Sequence, residues 1–374
     1  MISLAGIPPL QAQPEPTGPP PAARGWRAVT VAQGIRYPWG IAWLKDGRPI
    51  ITGKFGTLHV LSGGRFHQIP MAGLPRVFSG GQGALMDIAL HPNYAENHQI
   101  YMTLSTGTAQ RNRTILVRGV FDGKRVRDIR TLFQVEPIKN DSQHFGSRLL
   151  WLPDGTLLMS VGDGGNPPVR IGGMLAREQA QNLRSHLGSI LRLTEDGKPA
   201  PDNTLRNRDA VRPEIWTYGH RNIQGIARDP QSGRVWANEH GPKGGDELNL
   251  IEGGRNYGWP QVTLGRDYRT GEPIGRRSVE GMIDPKVVWI PAHAPSGLVY
   301  YTGERFPNWR GSLFSGGLVS KDIRRIALDG NGSVLAQNRI YLGRRVRDVT
   351  QGPNGYLYAI TDEENGRLIR IEPQ

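Results

Sequence analysis

The amino-acid sequence predicts an all-β fold, a six-bladed β-propeller with four-stranded antiparallel blades. Glycine (50) and proline (29) make up about a fifth of the 374 residues, and this composition favours many turns over long helices. Apolar strands recur along the chain, separated by turns such as Asp46-Gly47, Asp154-Gly155 and Asn354-Gly355. Because Asp-Gly and Asn-Gly suit two-residue hairpin turns, we expect positive φ at both central positions.

Equivalent strand starts divide the chain into six units that lie 47 to 77 residues apart. They are Gly40, Asp87, Ser147, Gln224, Ser296 and Asp348. A four-stranded blade needs about 40–50 residues, so the longer intervals imply inserted loops. A pair of β-sandwiches is the alternative architecture. Residues 176–187 (AREQAQNLRSHL) carry the best helical signal and predict a short helix.

The amino-terminal part differs from the rest in composition. We expect residues 1–25 to be a disordered Pro-rich segment and residues 26–374 to be one propeller domain. Residues 10–13 resemble the end of an export signal, although no basic residue precedes Arg24. The interpretation is a signal-peptide remnant of a periplasmic or secreted protein, and the alternative is a plain Pro-rich extension. Residues 14–23 are predicted to be an unstructured linker.

Composition excludes several classes of protein. No run of about eighteen apolar residues exists, so we predict no integral membrane segment. The absence of cysteine excludes disulfides, thiolate metal sites and cysteine nucleophiles. The net charge is +13, but the basic residues are scattered, so we expect no nucleic-acid partner. The sequence has no P-loop, no strand–GxGxxG–helix unit and no HExxH motif, and the absence of a nucleotide-binding motif argues against NAD and flavin.

Two ionisable residues flank the hairpin that begins near Leu149. His144 precedes the first strand, and Asp163 follows the second in the segment Gly162-Asp163-Gly164. Because the two strands are antiparallel, both side chains should emerge at the same end of the blade. Histidine accepts a proton near neutral pH, and a carboxylate can orient the imidazole. The alternatives are a structural loop histidine and an ordinary Asp-Gly turn.

Other polar clusters suggest sites for an anion and for a cation. Arg221 and Asn222 can polarise a carbonyl or stabilise an oxyanion. Arg345 and Arg347 are two residues apart, so they share one face of a strand and form a candidate carboxylate clamp. A solvated face is the alternative for this pair. Residues 239–247 are rich in oxygen donors, which hard cations such as Ca²⁺ prefer.

The combined pattern over residues 26–374 resembles the soluble quinoprotein sugar dehydrogenases, and most closely the aldose sugar dehydrogenases. Nine segments in one order carry the resemblance. They are Tyr37-Pro38-Trp39-Gly40, Gly81-Gln82-Gly83, His91-Pro92, His144-Phe145-Gly146, Gly188-Ser189-Ile190-Leu191-Arg192, Tyr218-Gly219-His220-Arg221-Asn222-Ile223-Gln224-Gly225, Glu239-His240-Gly241-Pro242, Asn256-Tyr257-Gly258-Trp259-Pro260 and Arg345-Val346-Arg347-Asp348.

The resemblance implies a propeller that binds pyrroloquinoline quinone (PQQ) and Ca²⁺. Such an enzyme oxidises C1 of an aldose to a lactone and passes electrons to an external acceptor. By matching motif, His144 would be the base that takes the C1 hydroxyl proton, and Asp163 would support it. Gln82 would hydrogen-bond near the sugar. Arg221 and Asn222 would polarise the quinone oxygens.

The resemblance also assigns Arg345 and Arg347 to holding the cofactor. One departure concerns a lysine that the family usually has after the leucine of a Gly-Ala-Leu-Lys segment. Here Val319 takes that place, after Gly316-Gly317-Leu318. Lys321 lies two residues further on and is expected to point to the same strand face, so it is the predicted substitute in cofactor binding.

Calcium contacts follow from the same resemblance. The backbone carbonyls of Gly241 and Pro242 match the family's calcium contacts to the cofactor. Glu247 and Tyr257 match a calcium position of related enzymes, so one ion or two are implied.

Two other functions stay open at this point, and fold alone does not separate them. One is a calcium-dependent lactonase on a similar propeller, and the other is a non-catalytic propeller that binds a sugar or a protein. The converging arginines favour the dehydrogenase, because neither alternative has an evident need for them. We expect a monomer.

Overall fold

Strands arranged as six blades dominate the computed structural model, which describes residues 14–374. Each blade is a four-stranded antiparallel sheet, so the predicted fold class is confirmed. The first strand, β1 (Trp26–Ile35), belongs to the last blade. Blades 1 to 3 follow in chain order. Blade 1 consists of β2 (Pro38–Trp43), β3 (Pro49–Gly53), β4 (Thr57–Ser62) and β5 (Arg65–Gln68), and blade 2 consists of β6 (Leu85–Leu90), β7 (Gln99–Gly107), β8 (Asn112–Phe121) and β9 (Val126–Gln134). Blade 3 consists of β10 (Leu149–Trp151), β11 (Leu157–Val161), β14 (Ser189–Leu193) and β15 (Ile215–Tyr218). A small hairpin of β12 (Arg170–Ile171) and β13 (Met174–Leu175) is inserted in blade 3.

Blades 4 to 6 complete the ring. Blade 4 consists of β16 (Ile223–Arg228), β17 (Val235–Glu239), β18 (Asp246–Ile251) and β19 (Val287–Trp289). Blade 5 consists of β20 (Pro295–Tyr300), β21 (Ser312–Gly317), β22 (Asp322–Leu328) and β23 (Val334–Tyr341). Blade 6 contains β24 (Val346–Gln351), β25 (Leu357–Thr361) and β26 (Gly366–Pro373). In blade 6 the order is β1-β26-β25-β24, so β1 supplies its outer strand. The ring is therefore closed by pairing one end of the propeller domain with the other.

The six predicted strand starts all fall in or directly before the innermost strand of a blade. Gly40 lies in β2, and Ser147 lies two residues before β10. The innermost strands contact one another around the ring, including β2 against β24 where the ring closes. The spacing of the repeats therefore predicted both the number of blades and their inner strands.

The hairpin turns are of a different type from the one predicted. Gly47, Gly155 and Gly355 have φ values of 85°, 80° and 79°, whereas the preceding Asp or Asn residues do not have positive φ. The N–H of Gly47 donates to the carbonyl of Leu44 at 2.9 Å. This pattern is a type I turn followed by a left-handed glycine. The prediction of two-residue turns is wrong, although glycine is needed where it was expected.

Helical structure is scarce in the described part of the chain. The predicted helix at residues 176–187 is only a 3₁₀ helix, Ala176–Gln181, followed by turns. It ends at Asn182, whose backbone is extended. The other helical pieces are α1 (Tyr94–Asn97) and a 3₁₀ turn, Pro307–Trp309. No helix within residues 14–374 combines the length and the apolar character that a membrane crossing requires.

The Pro-rich segment ahead of β1 lies against the outer edges of two blades. The N–H of Thr17 donates to the carbonyl of Val288 in β19 at 2.9 Å. The N–H of Ala23 donates to the backbone carbonyl of Arg339 in β23 at 2.8 Å. The interpretation of this segment as an unstructured linker is therefore wrong for these residues. The predicted signal-peptide remnant falls at residues 1–13, outside the described part.

Apolar side chains fill the spaces between neighbouring blades. One cluster joins Ile50 and Leu58 of blade 1 to Leu85, Ile100 and Met102 of blade 2, all of them buried. Since each sheet buries its faces against the next sheet, every blade depends on its neighbours for a core. This rigid ring fixes the ends of the inner strands, where the site lies.

A buried ion triad ties the centre of the ring together. Arg148 of blade 3 donates from Nη1 to Asp87 of blade 2 and to Asp348 of blade 6, each at 2.9 Å. Its Nε donates to the carbonyl of Gln224 in blade 4, also at 2.9 Å. Burial raises the pKa of Asp87 to about 6, and the arginine opposes that shift. Arg148 also lies 4.8 Å from the ring of Trp39, which lines a cavity at one end of the central channel.

Candidate active site

A cavity of about 380 Å³ opens at one end of the central channel. Its volume lies in the range of small-molecule sites. All six blades, or the loops next to them, contribute lining residues. They are Tyr37, Trp39, Lys54, Gly81, Gln82, Ala84, Met86, Phe145, Gly146, Gln224, His240, Tyr268, Ala294, Leu318, Val319, Arg345, Arg347 and Asp362.

Irregularities of the inner strands direct several of these side chains. Trp39, Met86, Gln224 and Arg347 each lie where the pairing register of an innermost strand shifts. An extra residue at such a bulge re-aims the side chains around it, and bulges concentrate next to active sites. The cavity therefore depends on local breaks in an otherwise regular sheet.

The predicted proximity of His144 and Asp163 is confirmed. Nδ1 of His144 lies 2.6 Å from Oδ1 of Asp163, and both side chains are buried. Trp259 Nε1 donates to the other carboxylate oxygen at 2.8 Å. Gly162 permits the close approach, because a Cβ there would lie 2.2 Å from the carbonyl oxygen of His144. His144 itself has a φ of 50°, a strained value of the kind often found at functional sites.

Electrostatics keep the imidazole of His144 neutral. Burial lowers its pKa, and the positive charge of Arg221 lowers it further, whereas Asp163 opposes the shift. Since the carboxylate of Asp163 only accepts hydrogen bonds, Nδ1 carries the proton. The lone pair on Nε2 is therefore available to accept another proton.

Asn166 covers this nitrogen and was not anticipated from the sequence. Its Nδ2 lies 3.4 Å from Nε2 of His144 and donates to Gln143 Oε1 at 2.7 Å. Its Oδ1 accepts from Arg221 Nη2 at 2.8 Å. We call His144, Asp163, Asn166 and Arg221 the dyad cluster. Within the described chain these four side chains are not among the residues that line the cavity, whereas Phe145 and Gly146, which directly follow His144, do line it.

Two predicted amides connect the dyad cluster to the cavity. Gln82 lines the cavity, and its Oε1 accepts the backbone N–H of His144 at 2.8 Å. Asn222 is buried, and its Oδ1 accepts the N–H of Gly146 at 3.1 Å. Both amides therefore hold the loop that carries His144.

Arg221 is bound on several sides. Its Nη1 donates to the carbonyls of His240 and Gly241 at 3.1 and 2.7 Å. Its backbone N–H donates to Glu239 Oε2 at 2.6 Å. The Nε atom is buried without a hydrogen-bond partner among the described residues. Burial and the charge of Arg221 lower the pKa of His240 to about 3, so that histidine stays neutral.

The predicted calcium positions fall into two places. The carbonyl of Gly241 already accepts from Arg221, and Pro242 lines a small neighbouring pocket. Glu247 is buried and pairs across the sheet with Glu239. Burial raises the pKa of Glu247 well above its usual value, and the charge of Glu239 adds to the shift.

The four residues predicted to contact calcium do not form one metal-binding site in the described part of the chain. Tyr257 Oη donates to the carbonyl of Leu250 at 2.8 Å, and its ring stacks on His220. No group of three or more His, Asp or Glu side chains with metal-binding geometry occurs among residues 14–374.

On the other side of the cavity lies a group of charged residues. Asp362 Oδ2 pairs with Nη2 of Arg345 at 3.0 Å and of Arg347 at 3.1 Å. Lys54 lines the cavity beside them. We call Lys54, Arg345, Arg347 and Asp362 the cation cluster. The cation cluster thus contains three positive side chains and one carboxylate, and no other lining residue of the described chain is acidic.

Lys321 was predicted to replace the family lysine because it would share a strand face with Val319, and this structural reason is wrong. β21 ends at Gly317, so Val319 and Lys321 lie in the following turn and share no strand face. Lys321 is exposed, has a φ of 56° and is not among the lining residues. Val319 does line the cavity, with 59% of its surface exposed.

Comparison with known proteins agrees with this geometry. The family model described as Glucose / Sorbosone dehydrogenase matches residues 35–370. A Synechocystis protein described as uncharacterized is 50% identical over 355 residues, or 92% of this chain and 86% of its own. Aldose sugar dehydrogenase YliI of Escherichia coli is 36% identical over 349 residues, or 91% of each chain. The PQQ-bound aldose sugar dehydrogenase structure from Streptomyces coelicolor is 28% identical, with a TM-score of 0.74, and covers 94% of this chain and 100% of its own.

The chain therefore belongs to the glucose/sorbosone dehydrogenase family. It is an oxidoreductase that acts on sugars. Family membership favours the dehydrogenase over the lactonase and over the binding module, the two alternatives that the sequence left open.

Proposed function

We propose that this protein oxidises aldoses at C1 to lactones, using PQQ bound in the cavity with Ca²⁺ and passing electrons to an external acceptor. One observation carries the proposal. A cavity with three cationic side chains to one carboxylate lies next to a buried histidine–aspartate pair. The first arrangement suits an anionic cofactor, and the second suits removal of a proton from a substrate.

The residues around the cavity fit PQQ, a flat quinone with three carboxylates. Arg345 and Arg347 share the single carboxylate of Asp362, so both can pair with an additional anion. The Nε atom of Arg347, which lines the cavity, is buried without a partner in the described chain. Buried donors without acceptors are unfavourable, and a bound anion would satisfy them. Trp39 adds a flat apolar surface beneath these groups.

The chain's own residues would perform the proton transfer. Nε2 of His144 takes the proton of the C1 hydroxyl, and Asp163 stabilises the resulting imidazolium through Nδ1. For this the sugar hydroxyl replaces Nδ2 of Asn166, which lies 3.4 Å from Nε2. Gln82 and Asn222 keep the loop of His144 in place. PQQ, when bound, supplies the hydride acceptor.

Calcium is the second part of the proposal. Glu247 supports it, because burial and the charge of Glu239 raise the pKa of this side chain, and a divalent cation beside it would favour the ionised form. The carbonyl oxygens of Gly241 and Pro242 would hold an ion next to the cofactor, provided that Arg221 releases Gly241. In calorimetric titration with Ca²⁺, Glu247→Gln should lose a binding event that the unmodified protein shows. Identical titrations would contradict an ion at Glu247.

A dye-reduction assay tests the main proposal. Purified protein given PQQ and Ca²⁺ should reduce an artificial electron acceptor when glucose or another aldose is added. Protein without PQQ is the control and should be inactive. Absence of dye reduction with a broad panel of aldoses would overturn the proposal. Lactone hydrolysis by PQQ-free protein would instead support a lactonase.

Location and assembly complete the proposal. The export-signal-like residues 10–13 support a periplasmic or secreted protein. We also propose a monomer, in which one propeller domain carries the whole site.

A further inference from the structure

A half-buried lysine with no predicted role, Lys54, forms part of the cavity wall. Lys54 directly follows β3 in blade 1, and its backbone is fixed on both sides. Its N–H donates to the carbonyl of Tyr37 and its carbonyl accepts from the N–H of Leu85, both at 3.0 Å. Nζ donates to the carbonyl of Gly81 at 2.7 Å. Since an ammonium has three N–H donors, Lys54 keeps donors for a ligand.

The charges around Lys54 favour an added anion. Asp362 forms its ion pairs with Arg345 and Arg347. Burial lowers the pKa of Lys54, Asp362 opposes this shift, and Arg347 adds to it by repulsion. A negative group in the cavity would reduce both the repulsion and the cost of burial.

The distribution of charge around the cavity is one-sided. Blade 5 and the loop before it contribute Ala294, Leu318 and Val319, which are all uncharged. Blade 6 contributes Arg345 and Arg347, and blade 1, its neighbour through ring closure, contributes Lys54. An anion held by the two arginines therefore has its third cationic neighbour on the side of blade 1.

We propose that Lys54 is a cofactor-binding residue whose ammonium pairs with one carboxylate of PQQ, next to Arg345 and Arg347. This inference rests on the proposed function and deepens it. A neutral aldose has no carboxylate, so Lys54 acts on the affinity for the cofactor and not on the affinity for the sugar. Lys54 thus supplies the positive charge that Val319 cannot.

Isothermal titration of PQQ into the full chain, with Ca²⁺ present, tests this role without relying on activity. Lys54→Gln removes the charge but keeps an N–H donor for the Gly81 carbonyl, whereas Lys54→Arg keeps the charge. We expect roughly ten- to hundredfold weaker PQQ binding for Lys54→Gln, the effect of losing one charged hydrogen bond. Lys54→Arg should stay within a few-fold of the unmodified protein. Lys321→Gln, a matched change at an exposed lysine outside the cavity, should bind PQQ normally.

The outcomes separate the two proposals. No binding of PQQ to the unmodified protein would overturn both the proposed function and the role of Lys54. Equal affinities of the unmodified protein and Lys54→Gln would overturn the role of Lys54 alone. So would a variant whose affinity for PQQ is normal while its KM for the sugar rises. Equal loss in Lys54→Gln and Lys54→Arg would show that the side chain acts through shape, which also contradicts the proposal.

Discussion

The dyad cluster and the cation cluster lie on opposite sides of the ring, and they differ in how their polar groups are satisfied. His144 and Asp163 are buried and bonded to each other, and Trp259 and Asn166 add further contacts. In the cation cluster, Arg345 and Arg347 share the one carboxylate of Asp362, and Lys54 lines the cavity with no carboxylate of its own among the lining residues of the described chain. In the first cluster the His144–Asp163 pair is satisfied within the protein and Nε of Arg221 lacks a partner in the described chain. The second cluster has positive charge left over.

This difference fits the two tasks that we propose for the clusters. A group that moves a proton must be oriented and have its pKa set before the substrate arrives, and here burial and neighbouring side chains do so. A site for a charged cofactor must instead leave donors unpaired, because the ligand supplies their partners. Changes in the dyad cluster should therefore affect turnover, and changes in the cation cluster should affect cofactor affinity.

The largest effect is expected from His144→Ala. Without the base, turnover in the dye-reduction assay should fall roughly 10²–10⁴-fold, while PQQ affinity changes little. Activity is measured at saturating PQQ and sugar, and affinity is measured by titration. His67→Ala, at an exposed histidine of β5, is the control and should keep full turnover. Unchanged turnover in His144→Ala would remove this residue from the role of base.

A smaller effect, on cofactor affinity and not on turnover, is expected from Arg347→Met. PQQ affinity should fall roughly ten- to hundredfold, because a charged hydrogen bond is lost from a buried site. Arg345→Met should cost less, since the Arg345 side chain is 44% exposed and that of Arg347 only 14%. Turnover at saturating PQQ should change less than affinity in both variants. A loss of turnover without a loss of affinity would break the distinction between the two clusters.

The smallest effect concerns the pH profile. The lowered pKa of His144 keeps the imidazole neutral to a lower pH than an ordinary histidine, so the fall in turnover with acidification should come at a lower pH than an unshifted histidine would give. Asp163 opposes this lowering, so Asp163→Asn should lower the pKa further and move the acidic limb to still lower pH. The limb is measured as kcat against pH at saturating PQQ. A limb that stays in place, or moves to higher pH, would contradict this pairing.

Sequence reasoning was most accurate where a local pattern repeats. The six strand starts predicted the blades because strand, turn and strand recur with a regular apolar pattern. Antiparallel pairing alone placed His144 and Asp163 at one end of blade 3. The short helix beginning at Ala176 was overestimated, because Asn182 ends it after six residues.

Reasoning from sequence failed where the chain leaves regular structure. Lys321 was expected to share a strand face with Val319, but β21 ends before both of them. Lys54, Asp362 and Asn166 carried no local signal, because each follows a strand or a glycine-rich turn that has many counterparts along the chain.

The sequence alone determined that this protein is a propeller and that its histidine, aspartate and arginines belong to a sugar dehydrogenase pattern. The spacing of the repeats, the turn residues and the order of the motifs can be read directly from the sequence. Only the tertiary structure decided which charges meet. Lys54 and Arg347 are almost three hundred positions apart, yet ring closure makes them neighbours. The electrostatics of the cavity depend on distances through space, which one-dimensional spacing does not encode.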